Sequence, residues 1–141
     1  YQFLMGMMGV PELLGDILTP LQATPWLFLL AVSVIVMLFG MVLEGLPAAV
    51  VLVPVVFPIA RKIGIHPIHF DIVVTAAVGV GLFLPPIGVG LLMALRFANI
   101  SVTEHFRAYW PYVAALVVGL LILIWFPEIT LFVPRRAGLI R

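Results

Sequence analysis

An uncharged apolar run from Ile72 to Leu95 contains the stretch GVGLFLPPIGVG, residues 79–90, with two adjacent prolines at its centre. A proline pushes the residue before it out of the α region, so Leu84 and Pro85 are expected to be extended and the helix to break there. Pro86 can open a new helix, because its missing N–H would have no intrahelical partner. The spacing predicts one half-helix near residues 72–82 and another near 86–97, each about 16 Å long. The carbonyls of Gly79 to Leu82 would face the gap from one side and the amides of Ile87, Gly88 and Val89 from the other. Exposed carbonyls suit a cation and an N-terminal amide cluster suits an anion, and discontinuous transporter helices use both. The segment has no acidic side chain, so an ion held there is held by backbone, with Gly79, Gly81, Gly88 and Gly90 permitting close approach. The competing reading is a kinked helix whose glycines serve helix packing.

A second group able to do chemistry is Glu44, in Glu44-Gly45-Leu46-Pro47, between the uncharged run Trp26–Leu43 and the shorter segment LPAAVVLVPVVFPIA, residues 46–60. Pro47, Pro54 and Pro58 lie at i, i+7 and i+11 and share one helical face. The inner two deprive the carbonyls of Val50 and Pro54 of their helical donors, and in lipid such carbonyls need other partners. This pattern reads as a re-entrant helical hairpin with an acidic tip, where a carboxylate at membrane depth is functional by default. If both segments cross fully, Glu44 is a solvated loop acid.

Other chemistry is sparse. His66, His69 and Asp71 have the spacing of a partial metal site, but Pro67 interrupts it, and histidines in a polar link fit the stretch better. Met5, Met7 and Met8 read as flexible packing. No nucleophile and base sit at recognisable spacing, no glycine-rich phosphate loop follows a strand, and cysteine is absent. The reading is of a protein that is not an enzyme.

The elements that must position these groups belong to a membrane protein. Hydrophobic residues make up 65% of the chain and charged ones 9%, with mean hydropathy +1.31, too few charges to clothe a soluble domain. A net charge of +1, with Lys and Arg scattered, offers nothing to nucleic acid. The N-terminus lacks the basic region of a signal peptide, and the chain reads as a piece of something longer. Residues 1–23 read as the end of a preceding helix and a short amphipathic segment carrying Glu12 and Asp16. Thr24 caps and Pro25 opens the next helix, so that 24–63 forms the hairpin with its tip near 44–47. The broken transmembrane helix takes 72–97, after the polar link 64–71. An amphipathic connector takes 98–109, where Ser101 and Glu104 have capping-box spacing. A final transmembrane helix takes 110–127, flanked by Trp110 and Trp125, and 128–141 is the tail.

In their order, "LEGLPAAVVLVPVVFPIARKIGIHPIHFDIVV", "GVGLFLPPIGVGLL" and "FPEITLFVP" resemble the C-terminal part of the large membrane subunit of tripartite ATP-independent periplasmic (TRAP) transporters, from about Thr24 to Pro134. The resemblance implies an all-α integral membrane fold, a helical bundle with a re-entrant hairpin and a discontinuous helix, forming one half of an inverted-repeat elevator-type transporter. It implies a multi-pass protein of a bacterial or archaeal cytoplasmic (inner) membrane that imports small organic acids with sodium as coupling ion and no other cofactor. The implied partners are a small membrane subunit, a periplasmic substrate-binding protein, the N-terminal repeat of the same polypeptide, and the lipid bilayer. The implied substrate and ion site comprises Glu44, Gly45, Leu46 and Pro47 at the tip and Gly81, Leu82, Phe83, Leu84, Pro85, Pro86 and Gly88 at the break, with sodium on the backbone of Gly81, Leu82 and Leu84.

The sequence departs from the family pattern twice. Leu84 stands where the more familiar motif has Thr before the proline pair, which removes a hydroxyl ligand and leaves the backbone carbonyl. Glu44-Gly45 stands where the familiar tip has Asp-Pro. Sidedness reads two ways: Arg61, Lys62, Arg135, Arg136 and Arg141 against Arg96 and Arg107 point to the first group as cytoplasmic, whereas the resemblance implies a hairpin entering from the periplasm. The alternative function is a non-transporting structural or assembly bundle.

Overall fold

The computed structural model of the chain describes residues 24–43, 45–84, 88–99 and 102–140. Among these there are six helices and no strand: α1 (Pro25–Leu43), α2 (Gly45–Lys62), α3 (Pro67–Leu82), α4 (Val89–Ala98), α5 (Val102–Trp125) and α6 (Pro127–Arg136). The expectations for residues 1–23, Glu44, Pro85, Pro86, Ile87 and Ser101 lie outside the described residues.

Proline at the first position starts three of these helices. Thr24 precedes Pro25 and its carbonyl accepts the Phe28 N–H at 3.1 Å. His66 caps α3 from an extended backbone (φ −65°, ψ 131°), its Nδ1 accepting the Ile68 N–H at 3.3 Å, and Pro67 follows. This cap starts α3 inside the stretch read from sequence as a polar link, so the first half of the broken helix begins at residue 67 and not near 72. Phe126 breaks the chain before Pro127 opens α6. At the other boundary, α5 runs unbroken through Pro111, merging the expected connector with the last apolar segment.

α1, α2 and α3 pack as a bundle around Phe28, Val32, Val36, Leu52, Val56, Phe70 and Val73, with Leu120 and Ile124 of α5 closing one side. Phe57 and Phe70 meet at 5.7 Å between ring centroids, a tilted aromatic contact between α2 and α3. Pro25 and Trp26 line one cavity with Gly64, Ile65 and His66, so α2 returns to the end from which α1 starts. α3 then runs beside α1 in the same direction, since Gly40 meets Val78 and Met37 meets Gly81 near their far ends. Pro47, Pro54 and Pro58 all turn away from the core, so the face whose carbonyls lack helical donors is the outward one. A smaller cluster of Leu91, Leu95, Tyr109 and Val113 joins α4 to α5, and Leu84 touches both clusters.

Among the described residues no single helix is long and apolar enough to cross a membrane. Tyr109–Trp125 and Pro127–Arg136 meet that test together, across a 66° bend.

Candidate functional site

The described residues of the hairpin tip and of the break lie at one end of the bundle. α3 ends beside the last turns of α1, and Gly45 opens α2 two residues after α1 ends, so the hairpin tip and the break lie at the same level. Gly45, Leu46 and Pro47 form the first turn of α2, with Pro47 exposed. Gly81 and Leu82 finish α3, Phe83 caps it at φ −104°, ψ 0°, and Gly88 precedes α4 at φ −50°, ψ 109°. Glu44, Pro85 and Pro86 lie outside the described residues.

The two prolines decide which carbonyls the break leaves open. The Val80 carbonyl accepts from Phe83 N–H at 3.1 Å, and the Gly81 carbonyl from Leu84 N–H at 3.1 Å. Leu82 has no such recourse, because the residues three and four positions on are Pro85 and Pro86, which carry no N–H. The expected row of open carbonyls therefore narrows. The Gly88 amide, read from sequence as facing the gap, instead donates to the Leu84 carbonyl at 2.9 Å. That carbonyl keeps a second lone pair.

Two carbonyl oxygens, those of Leu82 and Leu84, each lie 2.6 Å from where a Cβ on Gly88 would sit. The Leu82 oxygen also lies 3.2 Å from the corresponding position on Gly90. Glycine is needed here for space, since the φ of Gly88 is open to any residue. Two partial negative charges brought to one point beside the buried Gly88 form a cradle able to coordinate a hard cation through oxygen.

Sequence reasoning passed over Gly40 and Met37 of α1. A Cβ on Gly81 would sit 2.7 Å from the Met37 carbonyl oxygen, and one on Gly40 would sit 3.6 Å from that of Val78. The available signal was a lone glycine in an otherwise bulky apolar helix, the mark of close backbone approach.

At the opposite end of the bundle the histidines take structural roles. The Thr130 hydroxyl donates to the Pro127 carbonyl at 2.8 Å and lies 2.8 Å from His69 Nδ1. A hydroxyl has one proton, so His69 Nδ1 is the donor to Thr130 and Nε2 carries the ring's lone pair. His69 stands before the apolar run, and burial, followed by neighbouring His66, lowers its pKa and favours the neutral ring. Among the described residues no group of three His, Cys, Asp or Glu side chains could hold a metal ion. The histidine pair thus caps α3 and ties it to α6.

The sequence profile of the family described as "Tripartite ATP-independent periplasmic transporter, DctM component" matches residues 1–129. The chain is similar to the C4-dicarboxylate TRAP transporter large permease protein of Rhodobacter capsulatus, 30% identical over 99% of this chain and 32% of the relative. It is also similar to the isethionate TRAP transporter permease protein of Oleidesulfovibrio alaskensis, 31% identical over 87% of this chain and 19% of the relative. The sialic acid TRAP transporter large permease protein of Vibrio cholerae is 28% identical over 89% of this chain and 30% of its own length. The chain therefore spans a third or less of these relatives. No solved structure matches it significantly.

Proposed function

The chain belongs to the DctM component family of tripartite ATP-independent periplasmic transporters, and from that premise we propose that it forms half of the substrate and ion site of a sodium-coupled importer of small organic acids. The observation that carries this reading is the pair of Leu82 and Leu84 carbonyls meeting at Gly88, level with the hairpin tip. Sodium binds there through backbone oxygen, with Gly81 supporting the same loop, and Glu44-Gly45-Leu46-Pro47 faces it from the re-entrant hairpin. The relatives are named for C4-dicarboxylate, isethionate and sialic acid, all organic anions, which supports the substrate class.

An anionic substrate needs a counter-charge, and a bound sodium ion supplies one in a segment that has no basic side chain of its own between Asp71 and Arg96. The remainder of the polypeptide supplies the inverted repeat, and the two repeats move as an elevator in a bacterial or archaeal inner membrane. A periplasmic binding protein delivers the substrate and a small membrane subunit holds the scaffold. The deciding experiment is uptake by the complete transporter in proteoliposomes, with binding protein present. Uptake falls to background when choline replaces external sodium; uptake unchanged by that exchange defeats the proposal.

A further inference from the structure

A cavity of about 460 Å³ lies at the end of the bundle opposite the break, between the start of α1, the α2–α3 link and the α5–α6 bend. Trp26 and Trp125, 6.4 Å apart between ring centroids, stand in its wall, and Glu128 and Arg135 line it from α6. We propose that this cavity binds the headgroup of an amine-bearing phospholipid, the phosphate at Arg135 and the ammonium among Glu128, His69 and the tryptophan faces.

Depth is the first argument. Tryptophans at the ends of apolar helices mark the headgroup level of a bilayer. Arg61 and Lys62, the exposed last residues of α2, stand immediately before the cavity residues Gly64 and Ile65 and place positive charge at the same level. From there the exposed Phe126, Ile129, Phe132 and Val133 give α6 an apolar outer surface along which acyl chains lie.

Charge and donor inventory choose the headgroup. Glu128 and Arg135 pair at 2.7 Å, but both are exposed, so the pair is weak and open to exchange with a ligand carrying both charges. A purely anionic headgroup meets the Glu128 carboxylate and is repelled by it. His69 is 5% exposed and lines the cavity, and with Nδ1 donating to Thr130 the acceptor left on its ring is Nε2. An acceptor there suits a primary ammonium, which has N–H groups to give, and not a quaternary one. The tryptophan faces attract either cation.

The test uses the complete transporter in nanodiscs of phosphatidylcholine with equal minor fractions of phosphatidylethanolamine and phosphatidylglycerol, and lipid retained after detergent washing is counted by native mass spectrometry. Phosphatidylethanolamine is enriched over both competitors. Glu128→Gln lowers that enrichment about tenfold and Arg135→Gln lowers the phosphatidylethanolamine retained by about the same factor, each the loss of one charge-assisted hydrogen bond. Should a charge variant unfold, Trp26→Leu, which removes only a ring face, lowers the total phosphatidylethanolamine retained. Equal retention of phosphatidylethanolamine and phosphatidylcholine, a preference for phosphatidylglycerol, enrichment that survives Glu128→Gln, or retention that survives Arg135→Gln and Trp26→Leu overturns the assignment.

Discussion

Gly81 of α3 and Met37 of α1 are in such close approach that a methyl group on Gly81 would lie 2.7 Å from the Met37 carbonyl oxygen and 3.1 Å from its Cα. The obstacle is backbone, so no side-chain rotation relieves it, and Gly81→Ala must push the two helices apart. Overpacking of this kind costs about 1–3 kcal/mol. Gly79, one turn face away on α3, has nothing within 4 Å of its Cβ position. Gly79→Ala should be neutral or stabilise by about 0.5–1 kcal/mol, because alanine is the better helix former. Thermal unfolding of the purified protein distinguishes them; equal effects at the two glycines would contradict the packing described here.

Gly88→Ala drives its Cβ into the Leu82 and Leu84 carbonyls while leaving a backbone conformation that alanine tolerates. The fold should survive and the cradle should not. The sodium concentration for half-maximal uptake should rise about tenfold, the equivalent of one well-placed oxygen ligand. An unchanged sodium dependence in a folded variant removes these carbonyls from the ion site.

The hairpin tip is tested through Glu44, using the absence of cysteine in this segment. A single cysteine replacing Glu44, in an otherwise cysteine-free complete protein, should react with a membrane-impermeant maleimide more slowly in sodium than in potassium. Rapid labelling indifferent to the cation would make Glu44 a solvated loop acid and favour the structural reading of the hairpin.

The His69–Thr130 contact predicts a pH dependence of stability. Burial lowers the His69 pKa in the folded protein, so the unfolded chain takes up the proton first as pH falls. The contribution is complete above the ordinary histidine value of about 6.5 and is lost as pH drops from there toward the lowered value. Thr130→Val leaves the buried Nδ1 donor without its acceptor and should cost about 1–3 kcal/mol at neutral pH. His69→Phe should flatten the acid limb of the unfolding profile; a limb that persists belongs to another group.

Much was legible before any fold was known. The break after Leu84 follows from covalent chemistry, because Pro85 and Pro86 have no N–H to give the carbonyls of Gly81 and Leu82. Membrane class follows from composition, and the sharing of one α2 face by Pro47, Pro54 and Pro58 follows from the i, i+7, i+11 spacing through helical geometry, whereas packing turns that face outward. The order of the sequence motifs between Thr24 and Pro134 was enough to suggest the family that the match over residues 1–129 shows. These are local properties, set by bonds and by periodicity within one element.

Tertiary structure decided the rest. Gly79 and Gly81 look alike in sequence, yet only the rotation and close approach of α1 determine that one is open and the other pressed against Met37. His69 and Thr130 are 61 residues apart, and nothing within either segment announces their hydrogen bond. The Leu84 carbonyl accepts the Gly88 amide at 2.9 Å, which occupies one of the donors that a straight gap would have left open. In each case the contact joins elements whose relative rotation depends on how all their side chains pack at once, and no single stretch of sequence carries that information.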